Sequence, residues 1–357
     1  MRDFLAEKLL VKIMKWNPEV ISKERPLLQA LSSFKYNEYQ QFSTGIRFIE
    51  SLVRWLYQFN EISERKIAYD FILKNLIFIS NEQMAYLVSI AFNDKINPII
   101  INKTARELNI DSHFVIRIIN SKEYKNNLRK SLFIGLSDGS RIDYLRRNSN
   151  INNEQVSTTY DLSDDKIKDL LSELEATQNE LSKFETVFLV DDFTASGKSY
   201  FRPDESKGKI WKFLDKVYKQ NNFENLIDIK NLNIHILFYL ATKTALDTIQ
   251  NNINDWKISN HVKTEINVIA IQILDDEIKE NVLKNVEFLD IAKKYFDDSV
   301  VDRHYKKGQH VNPYLGFNEC SLPLILSHNT PNNSLPILWL PDDKKYIGLF
   351  PRVTRHK

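Results

Sequence analysis

The chain has 357 residues, 43% hydrophobic and 27% charged, the composition of an ordinary folded protein long enough for about two domains, which excludes disordered and fibrous classes. Lys plus Arg number 49 against 47 Asp plus Glu, so the net charge of +2 gives no global pull toward nucleic acid or an anionic membrane, and any basic site must be local. There are eight glycines where average usage would give roughly 25, and neither G-x-G-x-x-G nor G-x-x-x-x-G-K-[ST] occurs, which excludes the two commonest nucleotide-binding fingerprints.

The first residues, 1–16, carry Asp3, Glu7, Lys8, Lys12 and Lys15 among apolar positions. These charges interrupt the continuous apolar region a signal peptide needs. The segment reads as an amphipathic helix with Phe4, Leu5, Leu9, Ile13 and Met14 on one side. No stretch of about 18 residues is apolar and uncharged, so no membrane span is expected. Phe42, Ile46, Ile49, Val53, Leu56 and Phe59 step by three or four, as in one long helix. Further helices are expected over 64–78 and 82–92, the second opened by the capping box Ser80 to Gln83. Residues 1–125 therefore form an expected all-α domain.

After Arg129 the period changes. Short apolar runs at 131–136, 186–190, 234–241 and 266–274 read as buried strands, and helical patterns at 164–184, 208–218, 242–253 and 276–296 alternate with them. The helix from Asp164 has Ile167, Leu170, Leu174, Leu181 and Phe184 along one seam. Such alternation predicts a mainly parallel α/β sheet flanked by helices over 126–300. From 301 to 357, Pro313, Pro323, Pro331, Pro336, Pro341 and Pro351 punctuate short apolar runs, as in a hood of strand pieces and turns that closes over the ligand end of a sheet. The single Cys320 excludes an intrachain disulfide framework and a cysteine zinc site, fits a reducing cytoplasm, and reads as a small core residue.

The strand Val187-Phe-Leu-Val ends in Asp191 and Asp192, followed by Phe193, Thr194, Ala195, Ser196, Gly197, Lys198 and Ser199. Ligands of open α/β sheets sit outside the carboxyl ends of strands. Backbone amides of a tight turn leading into a helix, with hydroxyls and the Lys198 charge, can surround a phosphate. The adjacent carboxylates would repel that phosphate and suit vicinal sugar hydroxyls or a divalent cation.

This order of apolar strand, two acidic residues and small-residue loop resembles type I phosphoribosyltransferases, where it binds 5-phosphoribosyl 1-diphosphate (PRPP). The resemblance implies that Asp191 and Asp192 contact the ribose hydroxyls, with Mg²⁺ as a cofactor that the two aspartates meet only indirectly, and that residues from Thr194 to Ser199 wrap the 5-phosphate. Phe193 and Thr194 stand where the pattern prefers small aliphatic residues, and Lys198 occupies a variable position. The earlier strand ends in Gly135-Leu-Ser137-Asp138-Gly139-Ser140-Arg141, similar to the family's pyrophosphate loop, with Arg146 and Arg147 as added charge. The whole chain resembles more specifically the PRTase-CE type of bacterial conflict and anti-phage systems. That type joins a helical region to such a core and ends in a segment like 327–339 here, whose His328, Asn329, Asn332 and Asn333 become candidates for the base or the hood, with His328 either facing a base or orienting the hood through hydrogen bonds.

The implied activity is Mg²⁺-dependent chemistry on PRPP or a nucleotide, in which pyrophosphate leaves the anomeric carbon and a nucleophile adds. A second reading is a binding module that senses the same ligand and switches a partner protein encoded nearby. A third is a DNA-binding regulator, because residues 104–118 have helix-turn-helix spacing; their apolar second half favours a buried helical hairpin instead. Arg303, His304, Lys306, Lys307 and His310 form a local basic patch, read as a solvated loop or as part of an anion site. His113, His235, His261 and His356 show no metal-ligand spacing. The oligomeric state stays open.

Overall fold

The computed structural model describes residues 3–178, 182–202, 205–219, 221–302, 305–308 and 311–352. Arg303, His304, His310, His356 and Leu181 lie outside the described residues. Among the described residues there are seven strands: β1 (Ile77–Ile79), β2 (Ser131–Gly135), β3 (Val156–Ser157), β4 (Thr186–Thr194), β5 (Asn233–Thr242), β6 (Glu265–Leu274) and β7 (Leu324–Leu326). No helix among them is long and apolar enough to cross a membrane. The chain divides into two units, Met1–Gln83 with Asp275–Lys357, and Met84–Leu274. Boundaries drawn after 125 and 300 cut across this division.

In the first unit, helices Asp3–Met14, Pro18–Phe34, Phe48–Tyr57 and Ile62–Asn75 share a core with Asp276–Lys284, Val286–Lys294 and the C-terminal segment. The first helix buries Ala6, Leu10 and Met14, while Phe4 and Leu5 are exposed, so its apolar side is rotated from the expected one. The long helix expected from Phe42 starts only at Phe48: Gly45 adopts a φ of +84°, and the Asn37 side chain accepts from the Phe48 amide. The helix expected over 64–78 ends at Asn75, and β1 follows, pairing in parallel with β7. At Asn285 the pattern expected as one helix breaks into two. The proline-punctuated segment is tied down locally: the buried Trp55 indole donates to the Ile337 carbonyl at 2.8 Å, and Ser51 donates to Leu349 at 2.6 Å. Phe71 and Phe288 stack at 3.6 Å between centroids. Cys320 is buried, as a small core residue would be.

The second unit is an α/β layer structure. Its sheet is wholly parallel, in the order β3-β2-β4-β5-β6. Strands β2, β4 and β5 are buried almost throughout, which explains their unbroken apolar runs: a parallel strand covered on both faces has no solvent side to mark with polar residues. Helices Asp164–Gln178, Lys209–Lys219 and Lys243–Ser259 supply Leu170, Leu174, Phe213, Leu214, Ile249 and Ile253 to a core with Val187, Leu189, Ile234 and Ile236. Each such side chain stabilises the fold by about 1.5–3 kcal/mol. On the opposite face Phe133, Phe188 and His235 stack across three strands at 5.0 and 5.2 Å. At the amino end of β4, Glu185 accepts from Lys103 at 2.8 Å and Lys130 at 3.0 Å. Burial alone would raise this carboxyl, but the two ammonium groups hold it below its usual range.

The segment with helix-turn-helix spacing forms helix Asn97–Leu108, closed by left-handed Asn109, and a second helix of five residues, Val115–Ile119. One turn is too short to lie along a major groove. Nor is it a buried hairpin: Phe114, Val115 and Ile116 are exposed, and only Ile118 of that helix is buried.

His235 gives the fold a pH signature. Burial pushes its imidazole down to about 4, against a smaller opposing pull from Glu265. Unfolded His titrates near 6.5, so below that pH the unfolded chain binds a proton that the folded chain refuses. Stability is full above pH 6.5 and falls as the pH drops toward 4. Urea denaturation should show a loss of about 2 kcal/mol between pH 6.5 and 5, and His235→Phe should remove that slope. The same slope in the variant would contradict this assignment.

Candidate functional site

Strand order locates a switch point in the sheet. From β2 the chain crosses to β3 on one side, and from β4 to β5 on the other. The neighbouring strands β2 and β4, in register at Gly135 and Val190, therefore send their following loops in opposite directions. Ligands of doubly wound sheets bind at such a switch point, outside the carboxyl ends. The two loops singled out in the sequence, 135–141 and 191–199, are brought together there.

Strand β4 extends to Thr194, beyond the expected end at 190, so both aspartates lie in extended backbone. Successive side chains of a strand point to opposite faces, and the pair diverges. Asp191 is fully buried. Its Oδ1 accepts from the Ser137 hydroxyl and, at 3.1 Å, from the Asp192 amide. Its Oδ2 accepts from the Tyr200 hydroxyl at 2.9 Å and from Lys209 Nζ at 2.8 Å. Burial and the Asp192 charge raise the Asp191 carboxyl, with Lys209 and Ser137 opposing. Burial, followed by the two aspartates, pushes the Tyr200 phenol well above its usual value, so the phenol keeps the proton it donates.

Asp192 is half-buried and faces the other loop. A Cβ added to Gly139 would lie 2.6 Å from Asp192 Oδ2, so glycine is what lets the first loop press against this carboxylate. Level with Asp192 on β5, between the pairs Asp191 with Phe238 and Phe193 with Leu240, is Tyr239. Its buried hydroxyl has no hydrogen-bond partner among the described residues. Burial and then the charges of Asp191 and Asp192 raise its phenol, while Arg141 opposes, so all four groups share one electrostatic environment.

In the second loop the Thr194 hydroxyl accepts from the Gly197 amide at 3.3 Å, and Gly197 has a φ of +71°. Thr242 Oγ1 donates to the Ala195 carbonyl at 2.7 Å and accepts from Ala245 at 3.1 Å, joining this loop to the start of the next helix. Ser196 is buried, Lys198 half-buried and Ser199 exposed. The helix expected over 208–218 forms but is not joined directly to this loop. It begins at Lys209, and its Ile210 amide donates to the Tyr200 carbonyl at 3.0 Å, so a backbone carbonyl occupies part of that helix end. In the first loop, Asp138–Ser140 form a single 3-10 turn and Arg141 takes a φ of +47°. Beside it, a polar cavity of about 320 Å³ is lined by Ser157, Thr158, Asp161, Ser163 and Lys166 at the carboxyl end of β3.

His328, Asn329, Asn332 and Asn333 belong to the first unit. Asn333 donates to the Phe317 carbonyl at 3.2 Å and lies 3.3 Å from Cys320 Sγ. The Asn332 carbonyl accepts from Phe317 at 2.8 Å, and Gln41 donates to the His328 carbonyl at 2.7 Å. Asn329 Oδ1 is buried without a partner among the described residues. Much of this segment's polarity therefore fastens its own turns. Tyr200, Lys209 and Tyr239 escaped the sequence reading. The only signals were a tyrosine in an otherwise apolar strand run and a lysine opening a helix.

The donor set does not fit a divalent ion held directly by both aspartates. Asp191 already accepts on both oxygens, Lys209 sits on one of them, and the two side chains leave β4 on opposite faces. Among the described residues no three His, Cys, Asp or Glu side chains converge.

The model of the PRTase-CE family matches residues 52–352, and the chain belongs to that family. No curated protein matches it. No solved structure matches it either.

The unequal burial of the two aspartates has a measurable consequence. Asp191→Ala strips three side-chain donors of their common acceptor, one of them cationic, and should cost about 3 kcal/mol in urea denaturation. Asp192→Ala should cost under about 1 kcal/mol. Equal losses would contradict the division between a buried anchor and an accessible carboxylate.

Proposed function

We propose that this phosphoribosyltransferase-like chain binds PRPP or a nucleotide across the carboxyl ends of β2 and β4. The observation that carries the reading is Asp192, a half-buried carboxylate pressed by Gly139 between two loops at the sheet's switch point. In this reading Asp192 accepts from a ribose hydroxyl. The loop from Thr194 to Ser199 receives the 5-phosphate, with Lys198 beside it, and the amides of 137–141 with Arg141 receive the diphosphate. Asp191 touches no ligand and holds the loops in place.

For a transferase, the bond between the anomeric carbon and the diphosphate oxygen breaks, and its electron pair leaves with the diphosphate. A nucleophile's lone pair then forms the new bond. The demand on the protein is fixed positive charge and N–H donors at the leaving group rather than a strong base. A non-catalytic sensor uses the same contacts without turnover. One observation favours it: between β3 and β4 the chain forms helix Asp164–Gln178, packed through Ile167, Leu170 and Leu174, where a catalytic lid would be short and open. In either case we place the protein in a bacterial anti-phage system, acting on a partner protein.

Calorimetry with PRPP and with nucleotides tests this. Wild type should bind one of them, and Asp192→Asn should weaken binding at least about tenfold through loss of a charge-assisted hydrogen bond. Pyrophosphate release on adding nucleobases would select the enzyme; binding without release would select the sensor. No binding by wild type would remove the proposal. In cells carrying the intact system, Asp192→Asn should also abolish protection in plaque assays.

A further inference from the structure

Lys209 is the first residue of its helix, where the macrodipole disfavours a cation. It is held there by construction. Gly208 brings the helix start against the preceding turn so closely that an added Cβ would lie 2.2 Å from the Tyr200 carbonyl oxygen. The Lys209 ammonium then sits 4.9 Å above the Tyr200 ring and 2.8 Å from Asp191 Oδ2. Its other two N–H groups have no partner among the described residues, and 29% of the side chain is exposed. The cation is thus anchored on one side and open on the other, at the carboxyl end of β4. A divalent ion on Asp191 would have to displace it.

We infer that the Lys209 ammonium, seated on Asp191, is the resident cation of this site, supplying a phosphorylated ligand with the positive charge that a metal ion held by the two aspartates would otherwise supply. The inference rests on the proposed position of the ligand between the two loops. Asp191 is then a positioning residue for Lys209, and binding of the ligand does not require a divalent ion.

Two measurements on the full chain test it. In the first, Mn²⁺ is titrated into the protein without ligand and followed by electron paramagnetic resonance. Wild type should show no tight site, and Lys209→Gln, which uncovers Asp191, should gain one. In the second, PRPP is titrated in EDTA and in Mg²⁺. Wild-type affinities should agree within about threefold, Lys209→Gln should lose about tenfold in EDTA, and Lys209→Arg, which keeps the charge, should stay near wild type. Affinity that vanishes in EDTA, or a Gln variant that binds like wild type, would overturn the inference. If wild type binds PRPP in neither buffer, the proposed function fails, and the Mn²⁺ titration alone decides: a tight Mn²⁺ site on wild type rejects Lys209 as the cation, and its absence retains it. The wild-type arms need no variant, so a Gln variant that fails to fold leaves the test intact.

Discussion

A buried carboxylate with four donors organises the ligand end of the sheet. Asp191 gathers Ser137 from the loop after β2, Tyr200 from beyond the loop after β4, and Lys209 from the start of the following helix. Removing a charge from water costs several kcal/mol, and the cost is met only if the partners are close and the remaining lone pairs are satisfied. Here the side-chain partners come from three segments that meet at the switch point, so the requirement to satisfy Asp191 also fixes their arrangement.

That constraint divides labour between adjacent residues of identical chemistry. On one face of β4, Asp191 is sealed under Tyr200, whose ring meets Phe238 at 4.8 Å. On the other, Asp192 stays accessible beside Gly139 and level with Tyr239. The repulsion between the two charges adds to burial in raising Asp191. Lys209 answers that repulsion with a cation that still reaches solvent. A fixed ammonium on Asp191 and an open carboxylate at Asp192 are the features on which the proposed binding of a sugar carrying phosphates rests.

Much of this was legible in the sequence, for identifiable reasons. Core strands announced themselves as apolar runs because the central strands of a parallel sheet are buried on both faces, and β2, β4, β5 and β6 each contain their expected run or fall one residue short of it, whereas the short β1 and β3 were not expected. The capping box at Ser80 and Gln83 forms, with reciprocal bonds of 3.0 and 3.1 Å, since it depends on local geometry alone. Both site loops follow from strand ends and small residues. What was missed depends on parity and on distant partners. The alternation of an extended strand already separates Asp191 from Asp192, but only if β4 is known to run to Thr194. Lys209 reaches Asp191 across an excursion of the chain after Ser199 that no periodicity marks. The hydrophobic spacing from Phe42 mimicked a longer helix because loop residues pack on the same core as the helix that follows them. The C-terminal segment reads as a hood from its prolines and short apolar runs, and its Ser327, Thr330 and Ser334 hydroxyls bond to Asn81, Phe350 and Leu324 within its own unit.

The central claim, that a ligand binds at the β2 and β4 switch point over an intact Asp191 anchor, is tested most directly by a crystal structure with PRPP bound. The account predicts the ribose on Asp192, the 5-phosphate in the loop from Thr194 to Ser199, and Asp191 still bonded to Ser137, Tyr200 and Lys209. Density for the ligand elsewhere, or an Asp191 that has left those partners to coordinate a metal ion, would contradict it.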